Sequence, residues 1–391
     1  MTDAAERLPA RDRTRATLLA AIRSGDGVTR GDLVEMTGLP SSTVTHAIGA
    51  LLRSGTVYEA EPESKGPGSG RGRPGRVLRA VPRGRHVAAL DIGHTRIVAA
   101  IADDNGTPLD TATREMDVDL DAHAALDVAA RLVAALASRF DVHDIVTCAV
   151  GIALPIETRT GRVRASLGLS SWDGLSPAEE LERRTGIPTH VENDALLGAV
   201  GETARGAARG KDHVIFLKIS HGIGAGLVLD GEPYRGASGL AGDIGHTKVP
   251  GRSELCRCGE RGCLEATVSI TSVMDQIAAT HHGAIVGFDR GDDVDMVTRR
   301  ILEDAGRELG AVVAQTANLL NPEVVVIGGA MAMAHESFME GVTWAMREYA
   351  RPTIAAATEV CVASLGRDAT VIGALHLGAR RAAALEPAPA S

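Results

Sequence analysis

VAALDIGHTRIVAAIADDNGTPL (Val87 to Leu109) and VIFLKISHGIGAGLVLDGEPY (Val214 to Tyr234) are built to one plan. Each is an apolar strand, a glycine-bearing turn, a second apolar strand and an Asp/Asn-Gly turn, the signature of a tight antiparallel hairpin. The two copies form a weak internal repeat at large separation. Helical patterns follow each copy, over His123 to Phe140 and over Ile301 to Leu320, and further strands are expected at Ile145 to Ala153 and Val324 to Ile327. Strands alternating with helices in two similar halves predict an α/β protein with a cleft between two lobes. Glycine turns at strand ends let backbone N–H groups approach phosphate oxygens. Gly328-Gly329, after the strand VVVI, offers a third such turn. Ordinary structural turns use the same residues, so the weight lies in finding three, each after an apolar strand.

The chain has 391 residues, enough for two or three domains with their own cores. Aromatic residues make up only 2%, so those cores must be built from Ala, Val, Leu and Ile. The start, MTDAAERLPARDR, is polar and lacks the apolar segment of a secretory signal. Val324 to Ala334 is too short and too glycine-broken to span a bilayer. A cytoplasmic protein without a membrane partner is expected. Thiols stay reduced there, so the cluster GHTKVPGRSELCRCGERGCLEA (Gly245 to Ala266) favours a metal over a disulfide. Cys148 and Cys361 lie in apolar strands and read as buried core thiols.

Charge is unevenly divided. Residues 1–86 carry 14 Lys+Arg against 9 Asp+Glu, and the remainder carries 27 against 41. A basic head on an acidic body suggests that the head meets a polyanion, although a solvated charged surface has the same composition. Within the head, Arg30 to Thr37 reads as a short helix ended by Gly38, and Leu39-Pro40 makes a turn. Ser41 or Ser42 is expected to cap a second helix to about Arg53, with Val44, Ala47, Ile48, Leu51 and Leu52 inward. This is a helix-turn-helix pattern. Its outward residues Ser42, Thr43, Thr45 and His46 are small and polar, suited to base edges or phosphates. Strand-like Thr56 to Tyr58 and Val77 to Arg79 flank the basic loop Gly66 to Arg76. That reads either as a wing, with Arg71, Arg73 and Arg76 tracking phosphates of duplex DNA, or as a basic linker.

In GIPTHVENDALLGAVGE, Glu192, Asn193 and Asp194 fall between a short strand and a helix over Ala195 to Gly201. Strand-to-helix junctions are frequent sites in α/β folds, and helix capping by Asn193 or Asp194 is the alternative reading. With this segment in view, the chain resembles the repressor–ORF–kinase (ROK) family of sugar kinases and sugar-responsive repressors. DIGHTR resembles its first phosphate loop, VENDA its catalytic segment and ISHGIGAGLVLDGE its second phosphate loop. GLAGDIGH with CRCGERGCLE resembles its signature, and NPEVVVIGGAMA its nucleotide region.

The resemblance implies a winged helix-turn-helix (1–80) followed by a two-lobed actin-like, ribonuclease-H-like sugar kinase fold, with lobes over 81–200 and 201–391. The last helix of that fold can return to the first lobe. The resemblance also implies one structural zinc on His246, Cys256, Cys258 and Cys263, with the other ring nitrogen of His246 facing a sugar. Sulfur and nitrogen donors suit zinc, and four protein ligands leave no open position for water. Asn193, Asp194, Asp243, His246 and Glu265 match sugar-binding positions, and Asp194 also matches the kinase base. Gly93, Thr95, Gly222, Gly224, Gly328 and Gly329 match nucleotide-binding positions.

Four departures from the family pattern bear on function. His94 replaces a glycine in the first phosphate loop, and Ser220-His221 replace Gly-Thr in the second. Asp243 replaces a Glu, and Gly168 stands where many of the kinases carry an Asn on the sugar. The first two oppose close approach of a phosphate, and the last two point to a changed sugar preference. The expected function is therefore a DNA-binding regulator, a repressor, sensing a sugar or sugar phosphate as a homodimer or homotetramer. The alternative is an ATP-Mg-dependent sugar kinase with an appended head.

Overall fold

The computed structural model describes residues 10–24, 27–60, 76–81, 84–140, 144–164, 171–282, 287–289 and 293–384. The head is three helices and a hairpin: α1 (Ala10–Ser24), α2 (Arg30–Thr37), α3 (Ser41–Arg53), β1 (Val57–Ala60) and β2 (Val77–Ala80). Leu18, Ile22, Leu33, Val44, Ile48, Leu51, Val57 and Leu78 form its core. The limits of α2 match the expected ones because both ends carry local signals. Thr29 and Asp32 make a reciprocal capping box, and Gly38, at φ 65°, closes the C-terminus through its N–H on the Val34 carbonyl. The start of α3 differs from expectation: Pro40 occupies the N-cap, no side chain caps, and Ser41 and Ser42 are the first two exposed helical residues. The β1–β2 hairpin is antiparallel from Val57↔Ala80 to Ala60↔Val77. Its joining loop, with Arg71 and Arg73, lies outside the described residues.

The body begins with β3 (His86–Ile92), β4 (Arg96–Asp103), β5 (Pro108–Glu115), α4 (Ala122–Arg139) and β6 (Ile145–Ile152). A small hairpin of β7 (Ile156–Glu157) and β8 (Arg162–Val163) follows, then α5 (Pro177–Thr185), β9 (Thr189–Asn193) and α6 (Asp194–Arg205). The second half has β10 (Val214–Ile219), β11 (Ile223–Leu229), β12 (Glu232–Pro233), α7 (Glu265–Val268), α8 (Ile270–Thr280) and α9 (Met296–Leu320). It ends with β13 (Val324–Gly328), α10 (Glu336–Tyr349), α11 (Pro352–Ala357), β14 (Glu359–Val362) and α12 (Ala369–Ala384). The strand orders β5-β4-β3-β6-β9 and β12-β11-β10-β13-β14 are the same order written twice, with an antiparallel hairpin leading two parallel strands. This is the two-lobed, ribonuclease-H-like architecture expected from the repeated hairpins and the family resemblance. Helix α9 starts five residues before the expected Ile301. Asp295 caps it, and its first turn exposes Met296 and Val297, so no apolar periodicity marks that turn.

Layering explains why the central strands read as unbroken apolar runs. In the first lobe α4 covers one face of the sheet, and α12 covers the other through Val371, Ala374 and Leu375 on Val87, Ala89 and Ala149. In the second lobe α9 and α10 cover the outer face, while α6 lies on β10 and β11. Helices α6 and α12 then pack against each other between the lobes. They touch backbone to backbone: a Cβ on Gly373 would run into the Leu197 carbonyl, and one on Gly201 into the Ala369 carbonyl. The wholly buried Glu202 carboxylate accepts the N–H groups of Ala207 at 2.7 Å and Leu365 at 2.9 Å, which ties the end of α6 to the β14–α12 connection.

The head rests on the far end of α12. Helix α1 packs against α12. Arg85, just before β3, donates to the Ala382 carbonyl at 3.2 Å, and the body holds the head through Asn105 Nδ2 on the Ala80 carbonyl at 3.0 Å and Arg209 on the Gly27 carbonyl at 3.3 Å.

Candidate functional site

A cleft of about 820 Å³ opens between the lobes, large enough for a small organic ligand. Asn193, Asp194, Asp243, His246 and Glu265 all line it, and so do Gly93, Thr95, Gly222, Gly224 and Gly329. Gly328 does not. It is buried in the interior, where a Cβ would strike the Phe216 ring. Gly329 is required by conformation as well as space, with φ 80° and the Ile219 backbone against it. Gly168 lies outside the described residues.

The junction at 192–194 separates three neighbours by role. Asn193 Oδ1 accepts from the N–H groups of Ala195 at 3.0 Å and Leu196 at 3.3 Å, capping α6 while also lining the cleft. Glu192 turns away from the cleft and forms a forked pair with Arg235 at 2.7 and 3.0 Å. Asp194, only 7% exposed, is held by Lys218, whose Nζ lies 2.7 Å from its Oδ2. The Lys218 ammonium also donates to Thr370 Oγ1 at 3.2 Å and lies 3.9 Å from Asp91 Oδ1. Burial works against the charge on Lys218, but Asp194 and then Asp91 outweigh it and hold its pKa above the ordinary lysine value. Burial pushes the Asp91 carboxyl up, and Lys218 partly offsets that. No local signal in the sequence marks Lys218. A lone lysine in VIFLKI looks like a solvent-facing position of an edge strand, and only the neighbours of β10 reveal its partners.

Across the cleft, Glu265 is 7% exposed and doubly engaged. Its Oε2 accepts the Ile223 N–H at 3.0 Å and its Oε1 accepts Arg257 Nε at 2.9 Å. A carboxylate has about four acceptor positions, so capacity remains for a ligand hydroxyl. Arg257 also donates to the His221 carbonyl at 3.0 Å, fastening the second glycine loop.

Both substituted loop residues, His94 and His221, line the cleft. The His94 and His221 rings meet edge to face with centroids 6.0 Å apart, and His94 Nδ1 is 2.9 Å from Asp119 Oδ1. The His221 pKa is lowered, first by burial and then by His94. The Ser220 hydroxyl accepts the Ala330 N–H at 3.0 Å, so the backbone donor just after Gly329 is already satisfied.

The donor atoms of His246, Cys256, Cys258 and Cys263 all lie within 4.8 Å of one another. Cys258 and Cys263 sulfurs are 3.8 Å apart, and Cys256 Sγ is 3.7 Å from His246 Nδ1. Sulfur and nitrogen ligands about 2.0–2.3 Å from a tetrahedral centre stand roughly 3.3–3.8 Å apart, so the donor set fits a zinc-sized ion. His246 Nε2 is then turned to the cleft side, 3.7 Å from Asp243 Oδ1. Of the other cysteines, Cys148 is buried, with its thiol pushed up to about 12 by burial. Cys361 is only half-buried, contrary to expectation.

In the head, Ser42, Thr45 and His46 are exposed on α3, and Thr43 is half-buried. Arg76 is not a free cation: it pairs with Glu59 at 2.8 Å, as Arg30 does. Among the described residues no helix is long and apolar enough to cross a membrane.

Comparison with known proteins agrees with this anatomy. The glucokinase of Halalkalibacterium halodurans is 30% identical over 312 residues, which cover 74% of this chain and 93% of that protein. The xylose repressor of Bacillus spizizenii is 24% identical over 360 residues, which cover 91% of this chain and 92% of that protein. Among solved structures, a ROK family transcriptional regulator described as a homolog of the E. coli MLC protein superposes with a TM-score of 0.70. It is 21% identical and covers 96% of this chain and 97% of its own. The model of the ROK family matches residues 87–381, both lobes and the α6–α12 layer between them, and the chain belongs to that family.

Proposed function

We propose that this protein is a DNA-binding transcriptional regulator, a repressor, whose body senses a sugar or sugar phosphate in the interlobe cleft. The observation that carries the reading is the head. It is a helix-turn-helix with polar α3 residues outward and a β1–β2 wing, its first helix lies against the last helix of a kinase-like body, and it is bonded to that body through Asn105 and Arg209. The repressor relative matches head and body together, whereas the glucokinase relative matches a length equal to 74% of the chain. In this reading the head is residues 1–80, and the lobes run over 81–200 and 201–391. Ser42, Thr43, Thr45 and His46 face base edges, and Arg71, Arg73 and, once released from Glu59, Arg76 face phosphates.

Asn193, Asp194, Asp243, His246 and Glu265 bind sugar hydroxyls. The cleft supplies both acceptors and donors, as a polyol requires if none of its hydroxyls is to be left unpaired. One structural zinc on His246, Cys256, Cys258 and Cys263 fixes the His246 ring. Its role is architectural, orienting a ligand-facing nitrogen.

Sugar affects DNA only through differential affinity for two states. Closure of the lobes moves α12 against α6, and α12 carries the head at its far end. In a homodimer or homotetramer that movement resets the spacing of paired heads.

Asp194, at the cleft end of α6, favours a second reading, an ATP-dependent sugar kinase. The side chains filling both phosphate loops weigh against it.

The test uses the full chain and a duplex chosen by selection from random DNA. One sugar from a panel should change operator affinity, and deleting residues 1–80 should abolish binding. Neutralising Arg71, Arg73 and Arg76 should weaken binding to every duplex. It should also flatten the salt dependence, lowering its slope by up to about 0.9 for each phosphate no longer neutralised. Operator binding that survives deletion of the head refutes the regulator reading. Sugar-dependent ATP consumption at ~1–100 per second by the parent establishes the kinase reading instead.

A further inference from the structure

Lys218 sits on β10 at the inner end of the cleft, and two carboxylates converge on its ammonium from the first lobe. Asp91 comes from the end of β3 and Asp194 from the start of α6. Nζ is 2.7 Å from Asp194 Oδ2 and 3.9 Å from Asp91 Oδ1. The second distance is an ion-pair contact but too long for a hydrogen bond. Asp91 is 3% exposed, and its Oδ1 has no hydrogen-bond partner among the described residues. A buried carboxylate oxygen is thus aimed at a position that a small cation would complete.

Two carboxylates and a hydroxyl facing one gap form a hard, all-oxygen donor set. In phosphate-handling sites Mg²⁺ is held by one or two carboxylates together with the phosphates of the ligand and retained waters. Here the Thr370 hydroxyl closes the third side at 3.2 Å from Nζ. The ammonium sits between the two carboxylates while Arg96 Nη2 lies 4.0 Å from the other Asp91 oxygen, Oδ2, so the pair is neutralised without any ion from solution, and a metal about 2.1 Å from both carboxylates would collide with the ammonium.

We infer that the Lys218 ammonium is a tethered substitute for a divalent cation between Asp91 and Asp194, so that the cleft takes its organic ligand without Mg²⁺. The inference rests on the cleft being a ligand site and not on the head binding DNA. It carries two consequences. A ligand that arrives as a magnesium complex, such as a nucleoside triphosphate, meets an ammonium where its metal belongs. An uncharged polyol needs no metal and finds Asp194 already fixed in position.

The experiment is a titration of the zinc-loaded full chain with Mn²⁺, read by the loss of the free-ion electron paramagnetic resonance signal. Mg²⁺ competition identifies the hard-cation site. Lys218→Thr removes the ammonium and should create one Mn²⁺ site at least about tenfold tighter than any in the parent. Adding Asp194→Asn to that variant should abolish the gained site, which places it in the cleft. Lys218→Met keeps the packing of the stem while removing the charge, and it carries the same test should Lys218→Thr fail to fold. Lys218→Arg, which restores a fixed cation, should stay without the site. A parent that already binds Mn²⁺ as tightly as the variant overturns the inference. So does a folded charge-free variant that gains no site, or a gained site indifferent to Asp194→Asn. None of these outcomes depends on whether the protein proves to be a regulator or a kinase.

Discussion

Cys258→Ser removes one sulfur from the candidate zinc cluster at small packing cost, because Cys258 is the half-exposed cysteine of the three. The cluster cross-links a segment from His246 to Cys263, 18 residues counted inclusively. Treated as a closed loop, a segment of that length restrains the unfolded chain by about 3 kcal/mol. For a cooperative body of roughly 300 residues, with an unfolding entropy near 2.1 cal/mol/K per residue, that becomes a fall in melting temperature of about 5 °C. The loss is not confined to stability. The segment is pinned by the Leu264 N–H on the Thr247 carbonyl and the Val249 N–H on the Gly262 carbonyl, and it delivers Glu265 to the cleft. Loosening it therefore disperses His246 and Glu265, and the sugar response should be lost together with the metal. Three measurements on one preparation decide the matter: zinc per chain by elemental analysis, the calorimetric transition, and the sugar-induced thermal shift. The parent treated with a strong chelator should reproduce the variant in all three. A Cys258→Ser protein that keeps one zinc per chain and the parent's melting temperature refutes both the ligand assignment and the energetic reasoning.

Asp194→Asn keeps the shape of the side chain but removes its charge and its ion pair with Lys218. One hydrogen bond to a charged group contributes about 1.5–3 kcal/mol, so sugar affinity should fall roughly 10- to 150-fold by calorimetric titration, with sugar-free operator affinity unchanged; undiminished sugar binding would remove Asp194 from the site. Gly373→Ala forces apart two helices that touch through their backbones, and overpacking of this kind costs about 1–3 kcal/mol. Denaturant titration should register that loss, whereas an unchanged midpoint would mean that α12 does not bear on α6 as described.

Legibility in the sequence follows the range of the interactions. Helix α2 is legible to the residue because a capping box and a left-handed glycine mark its ends within a few residues of chain. The paired hairpins announce both sheets because alternating apolar strands and Asp/Asn-Gly turns are local signals. The His246–Cys263 cluster, a candidate metal site, is legible because three of its four donors fall within eight residues. What stays hidden is non-local. Lys218 meets Asp91, Asp194 and Thr370, which lie on elements far away in sequence. The Glu192–Arg235 pair likewise joins positions 43 apart, and no spacing rule connects them. The cap of α3 departs from expectation for the opposite reason. Ser41 and Ser42 satisfy the rule for a capping residue, but Pro40 has the restricted φ that starts the helix and takes the position first.

The placement of α6 and α12 bears on how the chain is made. Each half of the body ends in a helix that covers the sheet of the other half, so the halves have exchanged their closing pieces. As the polypeptide leaves the ribosome, the first sheet is complete once β9 has emerged. Its inner face, with Val87, Ala89 and Ala149, then waits for Ala369–Ala384. At synthesis rates of about 5–20 residues per second that delay is roughly 10–40 s, during which a wide apolar surface stands open. A nascent chain stalled before Ala369 should accordingly recruit chaperones, whereas one released with α12 made can cover the first sheet as soon as that helix leaves the ribosome.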